Sequence, residues 1–473
     1  MKYSIVNYQE TFTAYNDYRL DADYYHADFI HLINSISKKT ITTLNDNNFY
    51  ITDGEHGSPC WDVNTNIKYI TAENIKPNYI EENDFKTISI EQDERNKRSR
   101  LRQNDILIYS VGVFAGYAAL AEPHLFPANI PRSVAIIRLK NYDELVPEYV
   151  CVFINSKYGQ FQTKRLQAGN AQPMLALEKI SKLRIVCLNI EFQKIIKKIY
   201  SKSYELRRYT ADLYRQSLFI LNKELNIINW IPEHKLWSVK NYSDVKDANR
   251  LDAEYFQPKY DEIIEKINKY PNGWNTIGNQ FKQNKKSFLI DINSEYKYVE
   301  IGSINIANGE ISPENIQGKN LPANAKINLQ QGDILISKVR TYRGAVAIVK
   351  STDFVGSGAF TVLHEKIDSK INKETLYVYF KLKPILDLTL KYNTGSSYPT
   401  ITDEDILNMP IPIFQQEIQN SVKNNIQQAQ KIQSQSKQLL EIAKRGVEIA
   451  IEQDEDIATS WINQELQKIG VEL

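Results

Sequence analysis

The chain has 473 residues, a length that favours two to four domains. Hydrophobic residues make up 42% and charged residues 24%, a balance typical of soluble globular proteins that argues against global disorder. Lys and Arg number 58 against 57 Asp and Glu, so any surface for nucleic acid must be local. Three cysteines without a CxxC pair argue against a disulfide framework or zinc cluster. With no apolar run of membrane-spanning length and no signal peptide, we expect a cytoplasmic protein.

The sequence contains a long internal repeat. Six segments recur in the same order: Ser4–Tyr8 as Ser238–Tyr242, Arg19–Tyr25 as Arg250–Phe256, Tyr69 and Ile70 as Tyr298 and Val299, Gln103–Ile108 as Gln331–Ile336, Gly169 and Pro173 as Gly395 and Pro399, and Glu191–Gln193 as Glu417–Gln419. The offset falls from 234 residues (238 minus 4) to 226 (417 minus 191). The preserved order indicates a duplicated unit with pseudo-two-fold symmetry rather than a solenoid, whose repeats are shorter.

Each copy is predicted to begin with an α+β domain. In the first copy Asp105–Tyr109 and Val134–Leu139 predict buried strands, as do Asp333–Ser337 and Ala345–Val349 in the second. The predicted domains span residues 1–188 and 230–413.

Each copy is predicted to end in a long helix. Apolar residues at helical spacing predict one helix in residues 189–229, with no Gly or Pro until Pro232, and another, with a C-terminal tail, in residues 414–473. Each run of roughly 35 residues gives about 50 Å of helix, whose single apolar stripe must be buried. We expect the two helices to form an antiparallel coiled coil. The alternative is that each packs on its own domain.

Three segments of the second copy carry a family resemblance. They are Gln331–Arg340, then Thr394–Ile401, then Met409–Pro412 followed by Gln416–Gln419 at the start of the helix. Together and in this order they resemble the specificity subunit of Type I restriction-modification systems, over nearly the whole chain. The first copy departs from the pattern, because Asn104 replaces the turn glycine and Gly169–Met174 replaces the Gly-Ser-Ser-Tyr-Pro loop.

The resemblance implies a fold, a function and partners. It implies two tandem target-recognition domains of mixed α/β type, joined by two long antiparallel helices. It implies a non-catalytic reader of double-stranded DNA, with one half of a split, asymmetric site read by each domain. Two methyltransferase subunits would dock on the helices, and restriction subunits would join through them. No cofactor is expected on this chain, while S-adenosylmethionine, ATP and Mg²⁺ belong to the partners.

The DNA-contacting residues are predicted from local charge. The candidates are Arg95, Lys97, Arg98, Arg100 and Arg102 before the Asp105 strand, Lys285 and Lys286, then Lys338, Arg340, Tyr342 and Arg343 after the Asp333 strand, and Ser396, Ser397 and Tyr398. Basic side chains clamp phosphates, and arginine also reads guanine in the major groove. Equally, a run of charges is often a solvated face, and the Ser396–Tyr398 loop has an alternative role as a structural turn.

Motifs for catalysis are missing from the sequence. It contains no Asp-Pro-Pro-Tyr tetrapeptide, no glycine-rich cofactor loop and no HExxH. Asp252 and Glu254 repeat Asp21 and Asp23, and since an arginine (Arg19, Arg250) recurs beside each pair, we expect structural ion pairs rather than a metal site. Three alternatives remain open: a related Type II-like or phage-defence methyltransferase system, an enzyme with an unrecognised site, and a protein-binding adaptor.

Overall fold

The protein combines many short helices and strands with two long helices. The structure is a computed structural model that describes residues 24–82, 85–168, 173–395 and 398–473. The helices are α1 Ala27–Ile36, α2 Ile90–Arg95, α3 Pro147–Asn155, α4 Lys157–Leu166, α5 Leu177–Ser181, α6 Ile190–Glu224, α7 Tyr242–Ala248, α8 Pro258–Asn268, α9 Ile277–Gln280, α10 Lys373–Tyr379, α11 Lys383–Lys391, α12 Asp403–Asn408, α13 Gln416–Glu452 and α14 Glu455–Lys468. No helix within these ranges has the length and apolarity to cross a membrane.

The strands divide between the two copies of the repeat. The first copy contains β1 Ile41–Thr43, β2 Phe49–Asp53, β3 Lys68–Tyr69, β4 Ile75–Lys76, β5 Tyr79–Ile80, β6 Lys86–Thr87, β7 Ile106–Tyr109, β8 Ala118–Leu120, β9 Ala128–Asn129, β10 Val134–Leu139 and β11 Arg184–Val186. The second contains β12 Trp274–Thr276, β13 Phe281–Gln283, β14 Glu295–Val299, β15 Glu314–Gln317, β16 Ala325–Asn328, β17 Ile334–Ser337, β18 Val346–Ile348, β19 Phe354–Ser357, β20 Phe360–Glu365 and β21 Pro410–Pro412.

The chain folds into two compact units of the same topology. Unit 1 takes the residues up to Arg207 and those from Ile432 onward, and unit 2 takes Arg208–Lys431. Unit 1 contains an antiparallel sheet in the order β2-β10-β7-β8, and unit 2 has the same order as β13-β20-β17-β18. The parallel pair β3-β9 likewise corresponds to β14-β19, and β1-β11 to β12-β21. The predicted α+β class and the repeat are therefore confirmed.

The repeated Asp-Ile-Leu-Ile segment forms the central strand of each sheet. In β7, Ile106 and Ile108 face one hydrophobic core while Leu107 faces another, so both faces of the strand are buried. The preceding Asp105 is fully buried, and its carboxylate accepts the Arg102 backbone N–H at 2.8 Å. Asp333 accepts the Gln330 N–H at 2.8 Å in the same way. The motif recurs because its aspartate closes the turn that starts the buried strand.

The repeated Glu-x-Gln segment ties each long helix to its own unit. Gln193 Oε1 accepts the backbone N–H of Val146 at 3.0 Å, just before α3, and its amide donates to two backbone carbonyls. Gln419 does the same with the N–H of Asn372 at 2.9 Å, just before α10. Both glutamines are buried. Each long helix therefore does pack on its own α+β core.

The two long helices also pack against each other. In unit 1 the buried hydroxyls of Ser203 and Ser436 lie 2.8 Å apart, while Ile196 lies beside Gly446. Residue numbers rise along one helix as they fall along the other, so α6 and α13 are antiparallel. In unit 2 the same pair of helices is joined by Gln428, whose amide donates to the Tyr209 hydroxyl at 3.2 Å. The predicted helix pair is confirmed.

The acidic pair near the start of the second copy is structural. The Arg250 guanidinium binds both carboxylate oxygens of Asp252, at 2.7 and 3.0 Å, and donates to the Asn393 carbonyl. Hydrogen bonding from this guanidinium lowers the pKa of Asp252 despite its partial burial. The predicted ion pair is confirmed here, whereas Arg19, Asp21 and Asp23 lie outside the described residues.

Candidate nucleic-acid interface

Two separate segments of unit 2 meet at one end of its central sheet. We call this surface tip 2: the loop 338–344 after β17 together with residues 398–401. The Arg340 N–H donates to the Pro399 carbonyl at 2.8 Å, and the Ile401 N–H donates to the Lys338 carbonyl at 3.0 Å. The structure thus brings Lys338, Arg340, Tyr342, Arg343 and Tyr398 together, residues that the sequence predicted in two separate clusters.

The side chains of tip 2 present positive charge on an aromatic support. The Arg340 guanidinium lies 5.1 Å from the centroid of the Tyr398 ring, and Tyr398 is 70% exposed. Arg343 is exposed and Tyr342 is half-buried. Stacking of this kind orients the guanidinium plane and lowers the entropy that Arg340 would lose on binding. Tip 2 therefore has the composition of a surface that contacts phosphates or base edges.

A neighbouring carboxylate balances one of these charges. The Lys338 Nζ lies 3.3 Å from a carboxylate oxygen of Asp403. Burial raises the pKa of Asp403, but hydrogen bonds from Thr361 and Gln283 and the charge of Lys338 outweigh it, so the net effect is a lowered pKa. Lys338 is thus oriented by an ionised partner, and the more exposed charge of tip 2 lies on Arg343.

A partly buried lysine supports tip 2. Lys381 Nζ donates to the carbonyls of Gly344 and Ile306, both at 2.6 Å, and burial lowers its pKa to about 7. Asn155, 226 residues earlier (381 minus 155), occupies the corresponding place in unit 1 and donates to the Ala118 carbonyl at 2.8 Å. Both units thus hold the chain near the tip by a side-chain donor at the same position of the repeat.

The remaining DNA-binding candidates of the second copy do not belong to tip 2. Lys285 and Lys286 are exposed just after β13, and the Lys286 carbonyl accepts the Asn328 N–H at 2.8 Å. Ser396 and Ser397 lie outside the described residues. A DNA-binding role for these four residues stays a prediction.

Carboxylates offset much of the basic cluster of the first copy. Lys97 pairs with Glu94 at 2.7 Å, Arg98 with Asp53 at 3.2 Å, and Arg100 with Asp93 at 2.7 Å and also with Glu94. Arg95 and Arg102 are exposed, with the Arg95 guanidinium 3.8 Å from the Cys60 sulfur. This pairing favours a solvated surface for three of the five side chains, and their contact with DNA stays a prediction.

Unit 1 has an equivalent of tip 2 that the pattern of charged residues does not reveal. We call it tip 1: the loop 110–116 after β7 together with residues 173–175. The Gly112 N–H donates to the Pro173 carbonyl at 2.9 Å, and the Leu175 N–H donates to the Ser110 carbonyl at 2.8 Å. These are the hydrogen bonds of tip 2 at offsets of 228 (340 minus 112) and 226 (401 minus 175) residues. Applying the repeat offset to residues 338–343 locates this loop from sequence alone.

The described residues include a cavity in unit 2 but no candidate metal centre. They contain no group of three or more His, Cys, Asp or Glu arranged to hold a metal ion. A cavity of about 420 Å³ in unit 2 has a mostly polar lining that includes Lys350, Lys373, Glu374 and Gln427. Glu374 is buried there, with Gln427 donating to one of its oxygens at 2.8 Å. The lining includes no serine, cysteine or histidine.

No protein-family model and no curated protein sequence matches the chain. Among solved structures, the S subunit of a Type I restriction-modification system from M. genitalium is 14% identical, covers 92% of this chain and 96% of its own, and superposes with a TM-score of 0.37. The HsdS subunit of Thermoanaerobacter tengcongensis is 14% identical, with 86% and 98% covered and a TM-score of 0.26.

A third similar structure comes from work on complex assembly and conformational transition of the type I R-M system. It is 14% identical, with 89% of this chain and 98% of its own covered and a TM-score of 0.25. Superpositions this loose carry no argument about function by themselves. The chain is similar, over most of its length, to chains of Type I restriction-modification systems, the family that its sequence motifs also resemble.

Proposed function

We propose that this protein is the non-catalytic DNA-specificity subunit of a Type I restriction-modification complex. One observation carries the proposal: two units of one topology present structurally equivalent tips whose side chains differ. A duplicated reader with diverged contact surfaces suits a DNA site that has two different halves. Each unit then reads one half, and the bases between the halves are not read.

The chemistry of tip 2 supports DNA as the ligand. Arginine donates two parallel hydrogen bonds to guanine O6 and N7, which is the commonest specific contact in the major groove. Arg340 is held by Tyr398, and Arg343 is exposed beside it. Lys338 sits at the base of the same loop. We assign base or phosphate contacts to the two arginines and a supporting role to Lys338.

The duplicated helices support a scaffolding role. A surface that occurs twice in one chain suits two copies of one partner. Helix α6 exposes Tyr209 and Phe219, at 44% and 56%, which are aromatic groups typical of protein interfaces. We assign the two helices the binding of two methyltransferase subunits, through which restriction subunits join. Catalysis, with its S-adenosylmethionine, ATP and Mg²⁺, would belong to those partners.

The test is selection of DNA by the assembled complex. The protein is co-expressed with its methyltransferase partner, and bound molecules are sequenced from a random duplex pool. We expect a motif of two short halves separated by a fixed number of unread base pairs. Recovery of no motif, or of one uninterrupted motif, would refute the proposal.

A double variant then tests which unit reads which half. In Arg340→Ala/Arg343→Ala we expect one half-motif to lose selectivity and the other to persist, because the tips belong to different units. One lost bidentate contact weakens discrimination at its base pair by about 5- to 150-fold, or about 1–3 kcal/mol. The matched control is Lys269→Ala, an exposed cation of unit 2 that is paired with Glu265 and belongs neither to tip 2 nor to a long helix. Loss of both half-motifs, or an equal effect of the control, would contradict independent reading.

A further inference from the structure

Tip 1 exposes apolar side chains where tip 2 exposes cations. Val113, Phe114 and Met174 are 81%, 52% and 48% exposed. At the 228-residue offset, Gly112 corresponds to Arg340 and Ala115 to Arg343. Soluble proteins rarely keep such a group of large apolar side chains in water unless it contacts a partner. The two tips therefore share a frame and differ in the chemistry they present.

We infer that unit 1 reads its half-site by apolar contact with thymine methyl groups, through Val113, Phe114 and Met174. The inference rests on the proposed function and adds the recognition chemistry of one half. The thymine C5-methyl is the apolar group that base pairs offer in the major groove. An apolar tip on a DNA reader therefore distinguishes thymine from the other bases by burying that methyl.

The backbone of tip 1 is held rigidly. Gln160 donates to the Gly116 carbonyl at 2.9 Å, and Gln167 donates to the Ala115 carbonyl at 2.7 Å. Gly116 has a φ of +105°, and a Cβ there would lie 2.4 Å from Thr163 Oγ1, so only glycine fits. A loop fixed in this way loses little entropy on binding.

One of these apolar side chains, Phe114, is held by neighbouring aromatic rings. The rings of Phe114 and Tyr117 are nearly parallel, at 14°, with centroids 5.5 Å apart, and the centroid of the Tyr109 ring lies 6.3 Å from that of Phe114. Phe114 nevertheless remains half exposed. It is thus preorganised to present one face to a ligand, as a side chain that reads a base edge needs to be.

Exposed cations adjoining tip 1 favour DNA over a protein as the occupant. The Ser110 hydroxyl donates to the carbonyl of Arg132 at 3.2 Å, which places Arg132 next to the loop. Lys164 lies one turn before Gln167, the residue that holds Ala115. Arg132 and Lys164 are both exposed. An apolar centre with cations beside it matches a base edge between phosphates.

The experiment compares two random pools, one with thymine and one with uracil, which lacks only the methyl group. The complete complex with its methyltransferase selects from both. We consider the half-motif that survives in Arg340→Ala/Arg343→Ala. In the uracil pool, its preference for A·U over the other base pairs should be weaker by about fourfold at each position where a methyl is contacted. The other half-motif is expected to keep its base preferences at the positions that depend on Arg340 and Arg343.

The variant Val113→Ser/Phe114→Ser should reproduce the uracil effect on the thymine pool. Val63→Ser, at another highly exposed valine of unit 1, is the control and should not. The inference would be overturned if the half-motif read by unit 1 were the same from both pools, or if it contained no A·T pairs. So would failure of the double variant to assemble with the methyltransferase, since tip 1 would then be a protein contact. No motif from the thymine pool would instead refute the proposed function itself.

Discussion

The buried aspartates before the central strands give a quantitative test of the fold. Asp105 is fully buried, and Arg138 binds both its oxygens, at 2.6 Å through Nε and 2.7 Å through Nη2. In Arg138→Met the aspartate keeps the Arg102 N–H as a donor, but its other oxygen loses its only protein partner in the described structure. Removing one partner of a buried ion pair typically destabilises a protein by about 3–5 kcal/mol. We expect unit 1 to lose that amount.

Unit 2 provides the matched comparison. Asp333 occupies the corresponding position and is paired with His364 at 2.8 Å. When His364 is replaced by Met, Asp333 still accepts the Gln330 N–H and the Asn284 amide on its other oxygen. We therefore expect a smaller loss of about 1.5–3 kcal/mol, the range for one hydrogen bond to a charged group.

Denaturant unfolding and hydrogen exchange together measure these losses. Urea titration followed by circular dichroism gives the free energies of unfolding, and exchange of the β7 and β17 amides assigns each loss to a unit. Asp105→Asn combined with Arg138→Met should recover part of the loss, because no unpaired charge remains buried. A loss below about 0.5 kcal/mol in Arg138→Met, or no recovery in the double variant, would refute the reasoning.

Two further predictions concern the long helices and tip 2. Insertion of seven residues into both α6 and α13 adds about 10 Å of helix, so it should lengthen the unread spacer by about three base pairs and leave both half-motifs intact. Methylome sequencing measures the spacer length. An unchanged spacer would contradict a role for the helices in setting it. Lys381→Asn, which copies Asn155, should change the pH dependence of stability. Burial lowers the pKa of Lys381 to about 7 in the folded protein, whereas an unfolded lysine titrates near 10.4, so the unfolded chain holds the extra proton between these values. The wild type should gain stability relative to the variant as pH rises through this window, by up to about 1.4 kcal/mol per unit; calorimetry from pH 6.5 to 10 checks the sign, and a constant difference contradicts it.

The sequence predicted the features that depend on residues close together in the chain. Runs such as Ile106–Ile108 and the apolar stripes of α6 and α13 reveal strands and helices by periodicity alone. The Arg250–Asp252 pair was predicted because its members are two residues apart and repeat Arg19 and Asp21. Such patterns need no knowledge of the tertiary fold.

The site was harder to predict because its chemistry depends on distant residues. Arg98 reads as a free cation in the sequence, but Asp53, 45 residues earlier, is its ion-pair partner. Tip 1 was missed because a search for basic residues cannot find a loop of Val113 and Phe114. Its equivalence to tip 2 shows in the repeat offset and in backbone hydrogen bonds, not in shared side chains.

This division between side-chain and backbone contacts explains which positions of the repeat stay the same. Asp105 and Asp333, like Gln193 and Gln419, hold the frame through their side chains, so a change there leaves buried polar groups unpaired. Within each tip, the two chain segments are joined mainly through main-chain N–H and C=O groups, which every residue except proline supplies in full. Their side chains can therefore change from Arg343 to Ala115 without loss of the loop. A fold built in this way allows each unit to acquire a new recognition surface while its core stays constant.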